Sequence, residues 1–219
     1  SDDTMHIDPS TLRSLELIRT QSGERHGSLI DTIDLTRTGA GARLLQSRLM
    51  APLRDVNTIN HRLDEIDTCI RHFDVTRILS SGLKSVPDME RALARLSLKR
   101  GGPRDLAALH DALGLAAQMR AHLIEKGLAD SALRTCMDDM RLTDDMESYR
   151  ARLESALDPS PPFLAREGGF IRDGFCPNID RLRALKTESQ RHIAALQARY
   201  TQDTGIDTLK ITHNNILGY

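Results

Sequence analysis

Aromatic residues are scarce in this chain: Phe, Tyr and Trp make up 3% of its 219 residues, and Trp is absent. A core with so few rings is built from Leu, Ile, Val, Ala and Met, as in helix bundles. Cysteines are few, odd in number and far apart, at Cys69, Cys136 and Cys176. That pattern excludes a disulfide framework and points to a reducing cytosol. No apolar run approaches ~18 residues, so a transmembrane span and a membrane partner are excluded. The opening Ser1-Asp2-Asp3-Thr4 lacks the basic, then apolar, character of a signal peptide. The net charge of −1 excludes a bulk electrostatic pull toward nucleic acid. Residues 165–219 alone carry a small positive excess, eight Lys/Arg against six Asp/Glu.

Motifs that carry chemistry are also missing. The eight histidines are scattered and none forms H-E-x-x-H, and no C-x-x-C occurs, so zinc has no support. Gly39-Ala40-Gly41 opens a helix superficially like a phosphate-binding turn, but no strand precedes it and no Lys-Ser/Thr follows. Asp138-Asp139 and Asp144-Asp145 read either as helix caps or as an acidic cluster able to hold a divalent ion. Arg91, Arg95 and Lys99 share one helix face, with Arg100 and Arg104 nearby. They read as a solvated or interhelical stripe, or as a phosphate contact. No catalytic residue stands out.

What is present is helical periodicity. Asp8-Pro9 starts a helix with an acceptor at the N-cap and a residue needing no N–H partner at N1. Leu12, Leu15 and Ile18 give it an apolar face, and Gly23 ends it. Ser28 and Thr38 cap the next two helices, and Pro52 stops the second. After Asp55, the residues Val56, Ile59, Leu63, Ile66, Ile70 and Phe73 form one apolar seam, predicting a single long helix. Shorter helices follow around Val75–Leu83 and after Asp88. Gly101-Gly102-Pro103 breaks the chain, and a long helix restarts through Leu106, Leu109 and Leu113. Thr143 opens another helix, which Asp158-Pro159-Ser160-Pro161-Pro162 closes; this places a domain boundary between residues 162 and 163. A last long helix runs from Asp180 to about Tyr200.

Two segments read as strand. Gly168–Phe175 reads as a short strand or hairpin. Ile206–Tyr219 switches to a period of two, with Leu209 and Ile211 on one face and Thr208, Lys210 and Thr212 on the other. A strand must pair its backbone with a neighbour, and little sequence remains to supply one. The expectation is a fragment of a larger protein. The fold class expected is mainly α: a helical bundle with long lever helices, plus a small incomplete β–α–β module at the C-terminal end.

Local strings sharpen this. Met5-His6-Ile7-Asp8, Gly27-Ser28-Leu29, Gly41-x-Arg43-Leu44-Leu45, Pro52-Leu53-x-Asp55, Asp88-Met89-Glu90-Arg91 and Pro103-Arg104-Asp105-Leu106 occur in order. Gly168-Gly169-Phe170-Ile171, Thr204-Gly205-Ile206, Leu209-Lys210-Ile211, Asn214 and Gly218-Tyr219 follow. Together these resemble the core and clamp of the MutS family of DNA mismatch-repair proteins, across nearly the whole chain. Departures are Ser14 where the family often has Asn, Arg48 where it often has Trp, and a more polar His213-Asn214-Asn215-Ile216.

The resemblance implies a helical core or lever domain at 1–162 and part of a clamp domain at 163–219. The levers would couple an ATPase domain to a clamp that holds duplex DNA through its backbone. Carried over from the matching clamp segment, Lys210 and Asn214 are the expected DNA-backbone contacts, with Arg199 as a weaker one. No Walker A loop is present, so no cofactor is expected here; ATP and Mg belong to the parent's ATPase domain. The resemblance further implies a homodimeric parent, a MutL-type partner and a cytoplasmic, nucleoid-associated location. Two alternatives stand beside it: a free-standing non-catalytic helical scaffold, and a helical enzyme built on the acidic cluster.

Overall fold

The structure is a computed structural model that describes residues 4–212. The chain divides into two compact units, Ser1–Phe170 and Ile171–Tyr219. Among the described residues the regular structure is helical.

Helix starts follow the capping residues read from the sequence. In α1 (Pro9–Ser14) the Asp8 carboxylate accepts from the backbone N–H groups of Ser10 and Thr11. Ser28 caps α2 (Leu29–Ile33), Thr38 caps α3 (Gly39–Met50) and Asp55 caps α4 (Val56–Arg71). Asp88 caps α6 (Met89–Ser97) and Thr143 caps α9 (Asp144–Ala156). In each case a side-chain oxygen takes an N–H that the helix itself cannot satisfy.

Helix ends depart from expectation twice. The first helix, expected to run to Gly23, stops at Ser14, and Glu16 turns out at φ 49°. The carbonyls freed by that stop are used elsewhere. Glu16 O accepts from Leu29 N (3.0 Å) and Leu17 O from Ile30 N (2.9 Å), which satisfies the first-turn donors of α2. The seam helix likewise stops short of its last expected residue: α4 ends at Arg71, and Phe73 belongs to the next helix. The chain breaks at His72, where α5 (Phe73–Leu83) begins, with Thr76 Oγ1 donating to Cys69 O at 2.7 Å. The break turns Val75 into a buried cluster with Leu123, Leu128, Leu133 and Met137.

The spine of the first unit is α7 (Pro103–Glu125), 23 residues and about 34 Å long at 1.5 Å per residue. It packs against α5, α6 and α9. Leu109 and Ala112 are buried on its first half, as are Leu153 and Ala156 of α9. Leu123 on its second half, with α8 (Arg134–Asp139), completes the cluster around Val75. The turn into α7 needs glycine: a Cβ on Gly102 would lie 2.9 Å from Phe163 O.

The second unit is dominated by α10 (Pro177–Thr204), 28 residues and about 42 Å long, with no buried residue. Gly205, left-handed at φ 69°, ends it. The expected β–α–β module is not formed among the described residues. Ahead of α10, Ile171 O accepts from Arg183 Nη2 (2.7 Å) and Gly174 N donates to Asp180 Oδ2 (3.0 Å). After α10, Leu209 N bonds to Ile206 O in a turn, and Ile211 N donates to Gln197 Oε1 at 3.0 Å. Backbone groups that a strand would offer to a neighbour are thus used locally or by α10 side chains. The remainder of the expected terminal strand, 213–219, lies outside the described residues.

Leu123 is 1% exposed and joins α7 to α5 and α8. Leu123→Ala is expected to lower the unfolding free energy by about 2–5 kcal/mol, measured by urea denaturation.

Candidate nucleic-acid interface

Charged pairs close the corners between helices. Arg43 of α3 reaches Asp88 through Nη1 and Nη2, both at 2.8 Å, and Glu90 through Nη2 at 2.7 Å. The fork geometry of guanidinium and carboxylate makes this pairing directional. Hydrogen bonds from Arg43 lower the Asp88 carboxyl from 3.8 to about 2, and those two carboxylates raise Arg43. Asp88 therefore has two jobs, since it also accepts from Arg91 N at the start of α6.

A second corner joins α6 to α7. Arg95 pairs with Asp105, whose other oxygen accepts from Gly102 N at 2.9 Å. Bonding to Arg95 lowers the Asp105 carboxyl, and bonding to Asp105 raises Arg95. Arg104 donates to Pro161 O (3.2 Å) and its guanidinium lies 5.8 Å from the Phe163 ring centre. Of the arginine stripe, Arg95 is interhelical through Asp105, Arg91 pairs with Asp88 at the start of its own helix, Arg104 is held by the proline-rich segment, and Lys99 lies past the end of α6 at φ 56°.

The residues do not fit a nucleotide's phosphates at Gly39-Ala40-Gly41. Gly41 N already donates to Thr38 Oγ1 at 2.9 Å, and a Cβ on Gly41 would sit 3.0 Å from that oxygen. Asp144 and Asp145 lie in the first turn of α9, where the helix dipole favours them. No group of three or more His, Cys, Asp or Glu side chains able to hold a metal occurs among the described residues.

The residues expected to meet DNA fall in the second unit. Lys210 is exposed, just ahead of Ile211, whose N–H is pinned to Gln197. Arg199 is exposed near the end of α10 and pairs with Asp203 at 3.6 Å. It is two residues from Gln197 and so about 200° around the helix from it. Asn214 lies outside the described residues. Gln197 is the residue that sequence reading missed: its contact spans 14 residues, and no periodic or motif signal marks it.

These features define a helical domain whose conspicuous parts are long helices joined at ion-paired corners. The chain matches the family description MutS domain III over residues 10–213, and it belongs to that family. It is 46% identical over 216 residues to "DNA mismatch repair protein MutS" of Rhodopseudomonas palustris (strain BisB18), covering 99% of this chain and 24% of the relative. The protein of the same name from Nitrobacter winogradskyi is 46% identical over 219 residues, covering 100% of this chain and 24% of the relative. That from Nitrobacter hamburgensis is 45% identical over 216 residues, covering 99% and 24%. The chain thus spans about a quarter of the length of these curated relatives. No helix among the described residues is long and apolar enough to cross a membrane.

The corner chemistry sets a pH dependence. The Asp88 carboxyl releases its proton more readily folded than unfolded, so its stabilisation is complete above the unfolded value near 3.8 and is lost as pH falls toward 2. Asp34, Asp55 and Asp105 shift in the same direction. Urea midpoints at pH 5, 4, 3 and 2 are expected to fall steadily, and Asp88→Asn is expected to flatten part of that fall while lowering the midpoint at pH 5.

Proposed function

We propose that this chain is the lever region and the beginning of the DNA clamp of a mismatch-repair ATPase. The observation that carries the reading is the end-to-end similarity, at 45–46% identity, to proteins named DNA mismatch repair protein MutS. In this reading residues 1–162 are the levers and 163–219 belong to the clamp. The whole protein would bind ATP and Mg in a separate ATPase domain, act as a homodimer on duplex DNA with a MutL-type partner, and work in the cytoplasm near the nucleoid. The long helices suit the lever role, because a continuous helix carries a displacement along its full length. For α7 and α10 that length is about 34 and 42 Å.

The grip is assigned to Lys210, with Asn214 beside it in sequence and Arg199 as a secondary contact. A clamp that holds any duplex must read the phosphate backbone, which positions a protein without specifying sequence. Lys210 is the most suitable of the three: it is exposed, and no ion pair engages it among the described residues. Arg199 must first give up Asp203.

Gel-shift titrations of the 219-residue chain across a salt series test this. Binding is expected to be weak, equal for matched and mismatched duplex, and to fall with log salt at a slope of about −2. Lys210→Ala is expected to reduce that slope by about 1. A clear preference for mismatched duplex, or binding that ignores salt, would contradict the assignment.

A further inference from the structure

A hollow of about 420 Å³ beside α5 is lined without a carboxylate. Arg37, Thr76, Arg77, Ser80, Ser81 and Lys84 line it. Thr76, Arg77, Ser80 and Ser81 follow the three- and four-residue spacing of one helix face, and Lys84 is the residue that ends α5. Arg37 comes from the link between α2 and α3. Its Nε donates to Ser80 Oγ at 3.2 Å, which orients the guanidinium and leaves both Nη groups to donate elsewhere.

Acidic side chains near these residues in the chain are engaged with other partners. Asp34 pairs with Arg25, Asp74 with Lys126 and Asp88 with Arg43. No ion pair engages Arg37, Arg77 or Lys84 among the described residues. Like charges around one concavity repel one another, and an anion placed among them turns repulsion into attraction. Guanidinium forks match the oxygens of phosphate, and an ammonium adds a point charge. The charge balance selects among anions. A carboxylate or a phosphodiester carries one negative charge and leaves this hollow strongly positive. A phosphate monoester carries about −1.5 to −2 at neutral pH and neutralises most of it.

We propose that the hollow between Arg37 and α5 binds a small phosphate anion of two or more charges, either a free pyrophosphate or the terminal phosphate of a small molecule. Arg37 and Arg77 take its oxygens through their Nη groups, Lys84 supplies the point charge, and the Ser80 and Ser81 hydroxyls donate. The site is separate from Lys210, Asn214 and Arg199 and does not depend on the DNA assignment.

Lys84 is exposed, which makes it a local reporter. The test follows acetylation of Lys84 by an N-hydroxysuccinimide ester in the full-length parent, mapped by mass spectrometry, across a pyrophosphate titration. Lys84 is expected to become protected while exposed Lys186 reacts at an unchanged rate. Arg77→Gln is expected to raise the midpoint of protection about tenfold, the effect of losing one charge-assisted contact. Arg37→Gln is expected to act in the same direction, and both variants keep the circular dichroism of the parent. Protection by a nucleoside diphosphate as well as pyrophosphate would identify a terminal phosphate as the ligand; protection by pyrophosphate alone would identify the free anion. Equal protection by sodium chloride at matched ionic strength would show screening only and overturn the proposal. So would protection by duplex DNA with none by pyrophosphate, or protection that survives Arg77→Gln unchanged. The readout is confined to Lys84, so failure here and failure of the DNA assignment are distinguishable.

Discussion

The Arg43–Asp88–Glu90 pairing is the interaction on which the arrangement of the first unit most depends. In a chain built mainly of helices, the propagating part of each helix forms readily, and the difficulty lies at the ends and corners. Asp88 meets both needs at once, because it starts α6 and anchors α3 to it. Asp105 repeats the device one corner later, holding Gly102 N and Arg95 together. The apolar core is small and aliphatic, with Ile30, Leu123 and Val75 among its most buried members. Much of the specificity of the fold therefore comes from directional polar contacts rather than from packing of rings.

The two units use helices differently. In the first, α7 is flanked by three others and carries buried residues along its length. In the second, α10 has no buried residue, and its stability rests on its ends and surface pairs. Arg183 gathers Asp173, Asp180 and the Ile171 carbonyl at one end, and Gly205 closes the other. Strings that carry the resemblance fall on these points: Asp88-Met89-Glu90-Arg91 and Pro103-Arg104-Asp105-Leu106 are corner residues, and Thr204-Gly205-Ile206 is a helix stop.

Local signals were the legible ones. Asp8, Ser28, Thr38, Asp55, Asp88 and Thr143 each cap the helix that the sequence assigns to them. A cap needs only two or three neighbouring residues, so the information is present in a short window. Contacts over longer spans were not legible. The early stop at Ser14 goes with carbonyls at Glu16 and Leu17 that accept from Leu29 and Ile30, more than ten residues away. The alternation of Leu209, Lys210 and Ile211 suggested a strand, yet Gln197 takes the Ile211 N–H. Of the candidate site, the exposure of Lys210 followed from its position between apolar neighbours.

The central claim is that long helices act as rigid parts, and α10 is its hardest case because nothing buries it. Spin labels at Arg181→Cys and Asp203→Cys in the full-length parent, with other reactive cysteines replaced, measure it directly. A continuous helix places the two positions about 33 Å apart along its axis. The account requires one narrow distance distribution near that value, unchanged by nucleotide. A broad distribution, or one that shortens when nucleotide binds, would contradict it.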